Sequence, residues 1–286
     1  MSSIDAALAE AAAALAAAGV PNPRFEARLL LEAVSGWSRA QLLARGAQPL
    51  PAAHVLPFRE LVTRRVAREP MAYVLGRAEF WSLEFVVGPG VLVPRPDSET
   101  LIEAAVAAFP DTGRQLRVLD IGVGSGCLLL TLLHLFPSAH GVGTDLSEAA
   151  LACTRLNAER LGVAHRLRLE RTSWADGVAG PFDLVVSNPP YIRTADIAGL
   201  QPEVARFEPS AALDGGPDGL AAYRAILAEL PRLLADDGRA LLEIGHDQQP
   251  AVEALAAAAG FTVTTHLDLA AVPRCLELDH FGPAAD

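Results

Sequence analysis

From about residue 98 onward, the chain alternates between segments with helical spacing of apolar residues and short runs rich in aliphatic and β-branched residues. The pattern predicts helices over residues 99–109, 127–136, 148–161, 220–234 and 250–259. It predicts strands over residues 116–121, 141–144, 166–170, 183–187, 239–244, 262–267 and 275–278. Strands that alternate with helices in this way pair in parallel, with helices on both faces of the sheet. We therefore predict an α/β fold with a seven-stranded, doubly wound sheet that ends in an antiparallel edge hairpin.

The residues before this region are organised differently. Up to about residue 75, leucines and valines recur at helical spacing between proline and glycine breaks, which predicts a set of helices. Over residues 80–93, aromatic and β-branched residues surround Gly88-Pro89-Gly90, a pattern that predicts a hairpin around those residues. Pro94-Arg95-Pro96 then forms a stiff, extended connector. The predicted parts are a helical domain over residues 1–76, a hairpin linker over residues 77–97 and the sheet domain over residues 98–286.

Charge and reactive residues narrow the classes of function. The formal net charge is -11; residues 1–80, with nine arginines and seven acids, carry +2, and the remainder carries -13. Such acidity disfavours a nucleic-acid partner, because phosphates are usually neutralised by a basic surface. The three cysteines and seven histidines lack the spacing of a metal site or disulfide framework, so no metal is expected. Without a basic leader or an apolar run of transmembrane length, the sequence predicts a cytoplasmic protein with no membrane partner.

A glycine-rich turn, Gly122-Val123-Gly124-Ser125-Gly126, follows the first strand of the sheet domain and opens a helix. Its glycines let the backbone turn sharply and approach a ligand closely. The dinucleotide fingerprint needs its third glycine where Cys127 stands, which weakens a nicotinamide-dinucleotide interpretation without excluding it. A tight turn that binds no ligand is the structural alternative.

Asp145 ends the next strand, where a carboxylate can accept hydrogen bonds from both ribose hydroxyls of an adenosine. Alone, it fits equally well as the N-cap of the helix that begins near Ser147-Glu148. Its combination with the glycine loop favours an adenosine cofactor. Trp174, in the loop after the third strand, is a candidate to stack on the adenine, and packing in the core or in a lid is the alternative.

The tetrapeptide Asn188-Pro189-Pro190-Tyr191 follows directly on a predicted buried strand, so it faces the ligand crevice of the sheet. An amide or exocyclic amine is a poor nucleophile because its lone pair is delocalised. The side-chain carbonyl of Asn188 and the backbone carbonyl of Pro189 can accept both N–H bonds of a planar –NH₂ and let the lone pair localise. Tyr191 supplies a flat face for the planar group. The motif therefore predicts methyl transfer to a planar nitrogen; a plain strand-ending turn is the alternative.

These motifs resemble those of the HemK/PrmC glutamine methyltransferases, which modify the Gly-Gly-Gln loop of bacterial peptide-chain release factors. The resemblance covers almost the whole chain. Besides the glycine loop and the tetrapeptide, it rests on Arg64-Arg65, residues 69–76, Glu79-Phe80-Trp81, residues 91–99, Asp145-Leu146-Ser147, Glu203-Val204, Phe207-Glu208-Pro209, Asp214-Gly215-Gly216, Asp218-Gly219-Leu220 and Leu242-Glu243-Ile244-Gly245. It departs at Ser173, where an acidic residue is common, and at Ala271, where a glycine usually begins the turn.

The resemblance implies a Rossmann-like class I methyltransferase domain behind a small N-terminal helical domain. Because that helical domain has no catalytic motif and carries a charge of +2, we predict that it docks a protein substrate; helices that merely cap the catalytic domain are the alternative. It implies S-adenosylmethionine as cofactor, bound by Gly122 to Gly126, Asp145, Trp174 and Asn188. It also implies that Asn188, Pro189, Pro190 and Tyr191 hold the substrate glutamine of a release factor. We expect the protein to act as a monomer.

Three other functions fit parts of the pattern. A sister group with the same tetrapeptide methylates a glutamine on a ribosomal protein. A DNA adenine methyltransferase also acts on a planar amine, but the acidic charge and the lack of an evident target-recognition insertion disfavour it. A non-catalytic module that only binds S-adenosylmethionine is disfavoured by the intact Asn188 motif.

Overall fold

The computed structural model describes residues 2–280. The contacts divide the chain into two compact units. The first unit contains the residues up to Arg77 together with Gln201–Phe207, and the second contains Ala78–Leu200 and the described chain from Glu208 onward. Each unit has its own buried apolar core. Within residues 2–280, the helices fall short of the length and apolar character that a membrane span requires.

The first unit is built mainly from helices. They are α1 (Ile4–Ala17), α2 (Pro23–Ser35), α3 (Arg39–Arg45), α4 (Ala52–Val66), α5 (Met71–Leu75) and, from later in the chain, α9 (Pro202–Phe207). The Ser3 hydroxyl caps α1, and Ser38 with Gln41 forms a capping box at the start of α3. Leu15, Leu30 and Phe58 are among the side chains of its core. The helical character predicted for this segment is confirmed.

Buried charges hold α9 within the first unit. Arg65, only 3% exposed, donates to Glu203 at 2.8 Å and to Glu26 at 2.6 Å. Arg68 donates two hydrogen bonds of 2.7 Å to the same Glu203 carboxylate. Burial alone would raise the pKa of Glu203, but the hydrogen bonds from the two arginines lower it to about 2. The carboxylate of α9 is therefore ionised and fully engaged with arginines of α4 and of the turn that follows it.

The hairpin turns at a different place from the one predicted. Its strands are β1 (Arg77–Phe80) and β2 (Leu83–Val86), so the turn residues are Trp81 and Ser82, with φ of 51° and 59°. A two-residue turn with both φ values positive follows the right-handed twist of the strands and gives a tight hairpin. Gly88-Pro89-Gly90 forms a separate turn, in which the Val91 N–H donates to the Gly88 carbonyl at 3.2 Å. The prediction of a hairpin turning there was wrong.

A seven-stranded mixed sheet forms the centre of the second unit, which confirms the predicted α/β fold. Its strands are β3 (Arg117–Ile121), β4 (His140–Asp145), β5 (Leu167–Arg171), β6 (Phe182–Ser187), β7 (Leu234–Glu243), β8 (Phe261–Leu267) and β9 (Pro273–His280). The flanking helices are α6 (Glu99–Ala108), α7 (Cys127–Leu135), α8 (Glu148–Arg160), α10 (Ala221–Leu233) and α11 (Gln249–Ala258). Strands β3 to β7 pair in parallel, and β9 is antiparallel to both β7 and β8.

The strand order β5-β4-β3-β6-β7-β9-β8 determines where a ligand can bind. From β3 the chain proceeds outward through β4 and β5, and it returns to the other side of β3 at β6. The carboxyl ends of β3 and β6 thus flank the topological switch point, where the loops diverge and leave a crevice. The glycine loop leaves β3 and the Asn188 tetrapeptide leaves β6, so the fold brings the two motifs together.

Candidate active site

A cavity of about 330 Å³ opens at this switch point, and its walls come entirely from the second unit. The lining includes Gly122 to Ser125, Asp145, Trp174 and Asn188 to Pro190. Among the residues predicted from the sequence, Gly126 and Tyr191 stand outside this lining. One cavity therefore gathers the parts predicted for a cofactor and those predicted for a planar amide.

The glycine loop is a tight turn over the end of the sheet. Gly122, Gly124 and Gly126 have φ of 81°, 57° and 82°, a region in which glycine avoids the strain of a side chain. A Cβ at Gly122 would meet no protein atom within 4 Å, which leaves space beside the backbone for a ligand. A Cβ at Gly126 would lie 2.9 Å from side-chain atoms of Leu130 and Thr154. Gly122 therefore leaves room for a ligand, whereas Gly126 lets the helix pack closely.

Asp145 braces the loop and leaves the helix cap to another residue. Its Oδ2 accepts the Gly124 N–H at 3.0 Å, and its Oδ1 accepts the Ser147 N–H at 2.8 Å. The N-cap of α8 is Ser147, whose hydroxyl accepts the Ala150 N–H at 3.2 Å. The N-cap alternative for Asp145 is thus wrong. Asp145 lines the cavity, and each of its carboxylate oxygens has a further lone pair with which it can accept a ribose hydroxyl.

Trp174 lies at the edge of the cavity in a constrained backbone conformation, with φ of 51°. Its carbonyl accepts the buried Thr144 hydroxyl at 2.6 Å, which fastens the loop to the end of β4. The side chain is half-buried and also packs against the main core. Its indole therefore combines core packing with a face available to a planar ring, whereas the neighbouring Ser173 is exposed.

Behind Asn188 lies a polar cluster that neither composition nor spacing indicates. The Asn188 side-chain nitrogen donates to the Ser98 hydroxyl at 3.1 Å, and Ser98 donates to one oxygen of Glu243. Tyr191 donates its phenol proton to the other Glu243 oxygen at 3.2 Å. Burial raises the pKa of Glu243 to about 7, against the hydrogen bonds from Ser98 and Tyr191, which lower it. Ser98 and Glu243 stand within segments that carry the family resemblance, but no pattern indicates that they touch.

Asp120, the fourth residue of β3, is a second acid at the site, and it belongs to the segment that opens the glycine loop, for which the sequence predicts a turn but no role for this carboxyl. It is 1% exposed and lines the cavity, and its Oδ1 has no hydrogen-bond partner among the described residues. Burial raises the pKa of this carboxyl to about 8. A buried acid with an unsatisfied oxygen is costly unless a donor or cation reaches it. Its position on the cavity identifies a place for a positively charged ligand group.

The remaining wall of the cavity comes from the connector around Arg95 and from the loop that follows Glu208. Arg95 donates from one nitrogen to both oxygens of Glu208, at 2.6 and 2.7 Å. Pro209, Ala211 and Ala212, which follow Glu208, line the cavity with apolar atoms. The ion pair therefore fixes the connector against the loop that closes this side.

These walls match the chemical parts of S-adenosylmethionine. Asp145 offers acceptors for two hydroxyls, Trp174 an aromatic face, and the space over Gly122 a passage beside the backbone. Asp120 offers a carboxyl to a cationic group. The residues present thus fit a nucleoside that carries a positive charge.

Comparison with known proteins agrees with this geometry. The family model of the PrmC N-terminal domain matches residues 6–76, and that of the methyltransferase small domain matches residues 96–201. A release factor glutamine methyltransferase of Rhodospirillum rubrum is 44% identical over 263 residues, which is 92% of this chain and 80% of the relative. One of Bradyrhizobium diazoefficiens is 42% identical over 285 residues, 98% of this chain and 96% of the relative.

Among solved structures, a methyltransferase of Pyrococcus furiosus aligns with a TM-score of 0.51 at 18% identity, over 77% of this chain and 95% of that chain, which supports the fold alone. The sequence relatives carry the family assignment, because their identity extends over most of both chains. This chain belongs to the release factor glutamine methyltransferase family and is an S-adenosylmethionine-dependent methyltransferase.

Proposed function

We propose that this protein transfers a methyl group from S-adenosylmethionine to the side-chain amide nitrogen of the glutamine in the Gly-Gly-Gln motif of peptide chain release factors. One observation carries the proposal: Asn188-Pro189-Pro190 lines the same cavity as the glycine loop and Asp145. A methyl donor and acceptors for a planar amide thereby share one site. The name of the curated relatives supports the choice of substrate.

The chemistry follows from the resonance of the amide. When bound, S-adenosylmethionine supplies a methyl group on a positively charged sulfur, which leaves as a neutral thioether. The carbonyls of Asn188 and Pro189 accept the two N–H bonds of the glutamine amide and rotate its lone pair toward the methyl group. The nitrogen–carbon bond forms as the sulfur–carbon bond breaks, and one N–H proton passes to solvent. Pro189 and Pro190 restrict the backbone, so the two acceptors keep their aim.

The activity is tested by incubating a release factor with the protein and S-adenosylmethionine and locating the added methyl group by mass spectrometry. One methyl on the glutamine is expected, with none on a factor that carries Asn in its place. A ribosomal protein and an adenine-containing DNA duplex serve as competing substrates. Methylation of either in preference to the release factor would reassign the substrate.

Replacement of Asn188 by Ala tests the role of the tetrapeptide. Loss of one preorganised acceptor at the reacting atoms typically lowers turnover by about 10²–10³. We expect the Asn188→Ala variant to keep its fold by circular dichroism and to lose turnover to this extent. Near-normal single-turnover methylation by the variant would refute the role of Asn188.

We further propose that the first unit docks the body of the release factor. A Gly-Gly-Gln loop must be selected by more than its amide, since every exposed glutamine presents the same group. The first unit contains a groove of about 580 Å³ along α1, α2 and α3, with Leu8, Ala12 and Leu42 in its walls. Exposed Arg24 and Arg39 also line it, within the part of the chain that carries net positive charge. The acidic charge of the whole chain favours action without nucleic acid. We also propose that the protein acts as a monomer in the cytoplasm.

A further inference from the structure

Three segments that are far apart in sequence meet behind Asn188. Ser98 precedes α6, Glu243 ends β7 and Tyr191 follows β6. Ser98 is 2% exposed and Glu243 is 1% exposed, so water does not compete for their hydrogen bonds. Glu243 accepts from Ser98 at one oxygen and from Tyr191 at the other, the latter at 3.2 Å. The carboxylate thus has a donor on each oxygen.

The direction of these hydrogen bonds determines the orientation of Asn188. An ionised carboxylate only accepts, so the single hydroxyl proton of Ser98 is committed to Glu243. The Ser98 oxygen is then left with lone pairs alone, and it accepts from the Asn188 nitrogen at 3.1 Å. The opposite amide orientation would place two acceptor oxygens against each other. The geometry therefore favours one orientation of a side chain whose two ends have nearly the same shape.

We propose that Ser98 and Glu243 are positioning residues, which hold the Asn188 amide with its nitrogen toward Ser98 and leave its carbonyl oxygen free to accept the substrate N–H. The proposal rests on the proposed function, because it assigns a task to the tetrapeptide in that reaction. Neither residue is required to touch the reacting nitrogen. Both act through Asn188.

Protonation of Glu243 reverses the direction of the chain of hydrogen bonds. A neutral carboxyl can donate to Ser98, whose hydroxyl then has a proton to offer to the Asn188 carbonyl. The acceptor that the substrate needs is thereby occupied. Since the pKa of Glu243 is raised to about 7 by its burial, turnover should fall as the pH drops below about 7. This fall should appear in kcat, because the pH dependence of kcat reports the pKa values of groups in the complex with substrate.

Other charged or titratable groups surround Glu243. They are Asp97, Arg274, Cys275, Cys127, Tyr191 and Tyr223. Burial raises the pKa of both cysteines and both tyrosines, so these four groups keep their protons at neutral pH. Asp120, whose pKa is about 8, lies on the same cavity, so variants are needed to assign the fall in kcat.

The experiment compares Ser98→Ala and Glu243→Gln with the wild type at saturating S-adenosylmethionine and release factor, over about pH 5.5 to 9. Loss of one hydrogen bond of ordinary strength predicts a decrease in kcat of about 3- to 10-fold for Ser98→Ala, with little change in KM. Both variants should lose the fall in kcat at acid pH, which we call the acid limb. In Ser98→Ala, Glu243 can no longer act on Asn188, and in Glu243→Gln the side chain can no longer titrate. Ser98→Thr, which restores the hydroxyl, should recover kcat and the limb.

Thr131→Val is the matched control, because it removes another fully buried hydroxyl of the second unit, on α7. It should leave kcat and the pH profile as in the wild type. A Ser98→Ala enzyme with wild-type kcat, or with reduced kcat but an unchanged acid limb, would overturn the proposal. Absence of methylation by the wild type would instead contradict the proposed function. If Ser98→Ala does not fold, the Glu243→Gln variant decides by itself: a fall in kcat at acid pH that persists in this variant would overturn the proposal.

Discussion

At the scale of the residue, two buried acids of the second unit lower the free energy of unfolding when they ionise. Asp120 and Glu243 have pKa values of about 8 and about 7 because burial disfavours their charged forms. A folded-state pKa above the unfolded value means that the folded protein binds more protons in the intervening range. For both residues, stability is therefore present at low pH and is lost as the pH rises through the folded pKa.

Replacement of Asp120 by Asn tests the direction of this pH dependence of stability. Asn has nearly the same shape and does not titrate, so it removes the penalty of ionising a buried carboxyl. We expect the free energy of unfolding of Asp120→Asn to exceed that of the wild type increasingly between about pH 4 and pH 8. Urea titrations at pH 5 and pH 9 measure it. Equal pH dependence of the two proteins would show that Asp120 does not titrate as described.

Asp145 leads to a prediction about cofactor binding. Its two oxygens already accept backbone N–H groups of the loop and of α8, so the carboxylate is held in place before a ribose arrives. A hydrogen bond to a charged acceptor contributes about 1.5–3 kcal/mol, which corresponds to roughly tenfold or more in affinity. Calorimetry should show this loss for Asp145→Ala. An unchanged dissociation constant for S-adenosylmethionine would contradict the ribose assignment.

At the scale of the element, apolar periodicity and turn residues predict much of the fold. The alternating pattern indicates all seven strands of the main sheet, because short runs rich in aliphatic and β-branched residues mark them even where, as in β5, no residue is fully buried. The hairpin turn was misplaced because Gly88-Pro89-Gly90 has the composition of a turn, whereas Trp81 and Ser82 adopt positive φ without glycine or asparagine. The place of the turn depends on the pairing of β1 with β2, and the local sequence does not encode this pairing.

The candidate site divides in the same way. Local motifs indicate the glycine loop and the tetrapeptide, since each is a continuous segment. The contact between Ser98 and Glu243 joins residues 145 positions apart, and it depends on the packing of α6, which begins directly after Ser98, against β7. No single sequence contains a periodic signal for such a pair.

Helix α9 gives a prediction at this scale. Removing the charge of Glu203 leaves Arg65 and Arg68 with fewer partners in a buried place, and breaking a buried pair costs about 3–5 kcal/mol. Because Arg65 retains Glu26, we expect Glu203→Gln to lower the free energy of unfolding by about 3 kcal/mol at pH 7. The folded pKa of Glu203 is about 2, so this contribution declines as the pH falls from about 4.5 toward 2.

Chemical unfolding at pH 7 and at pH 3.5 measures the effect. Glu10→Gln serves as the control, because it removes an exposed carboxylate from the same unit. A Glu203→Gln protein as stable as this control would contradict the structural role of the buried ion network.

At the scale of the whole molecule, we propose that the first unit recognises the release factor. Deleting residues 1–76 would also deprive Glu203 of its arginine partners, so reversal of surface charge is the cleaner test. We expect Arg24→Glu with Arg39→Glu to raise the KM for the release factor several-fold through altered electrostatic complementarity. The affinity for S-adenosylmethionine should not change, because its cavity belongs to the second unit.

The matched control is Arg155→Glu, which reverses an exposed charge on α8 of the second unit. Steady-state kinetics with intact release factor distinguish the variants. An unchanged KM in the double variant would leave the groove without a part in docking.

The chain order of the first unit also affects how the protein is made. Glu203 is synthesised 138 positions after Arg65, its partner in the folded unit. At synthesis rates of about 5–20 residues per second, this interval lasts roughly 7–28 s. During this interval the helices that precede α9 leave the ribosome, and their arginines cannot yet pair with the carboxylate of α9. The part that emerges first is thus completed only after six strands have been translated, so folding of this protein departs from a simple N-to-C order.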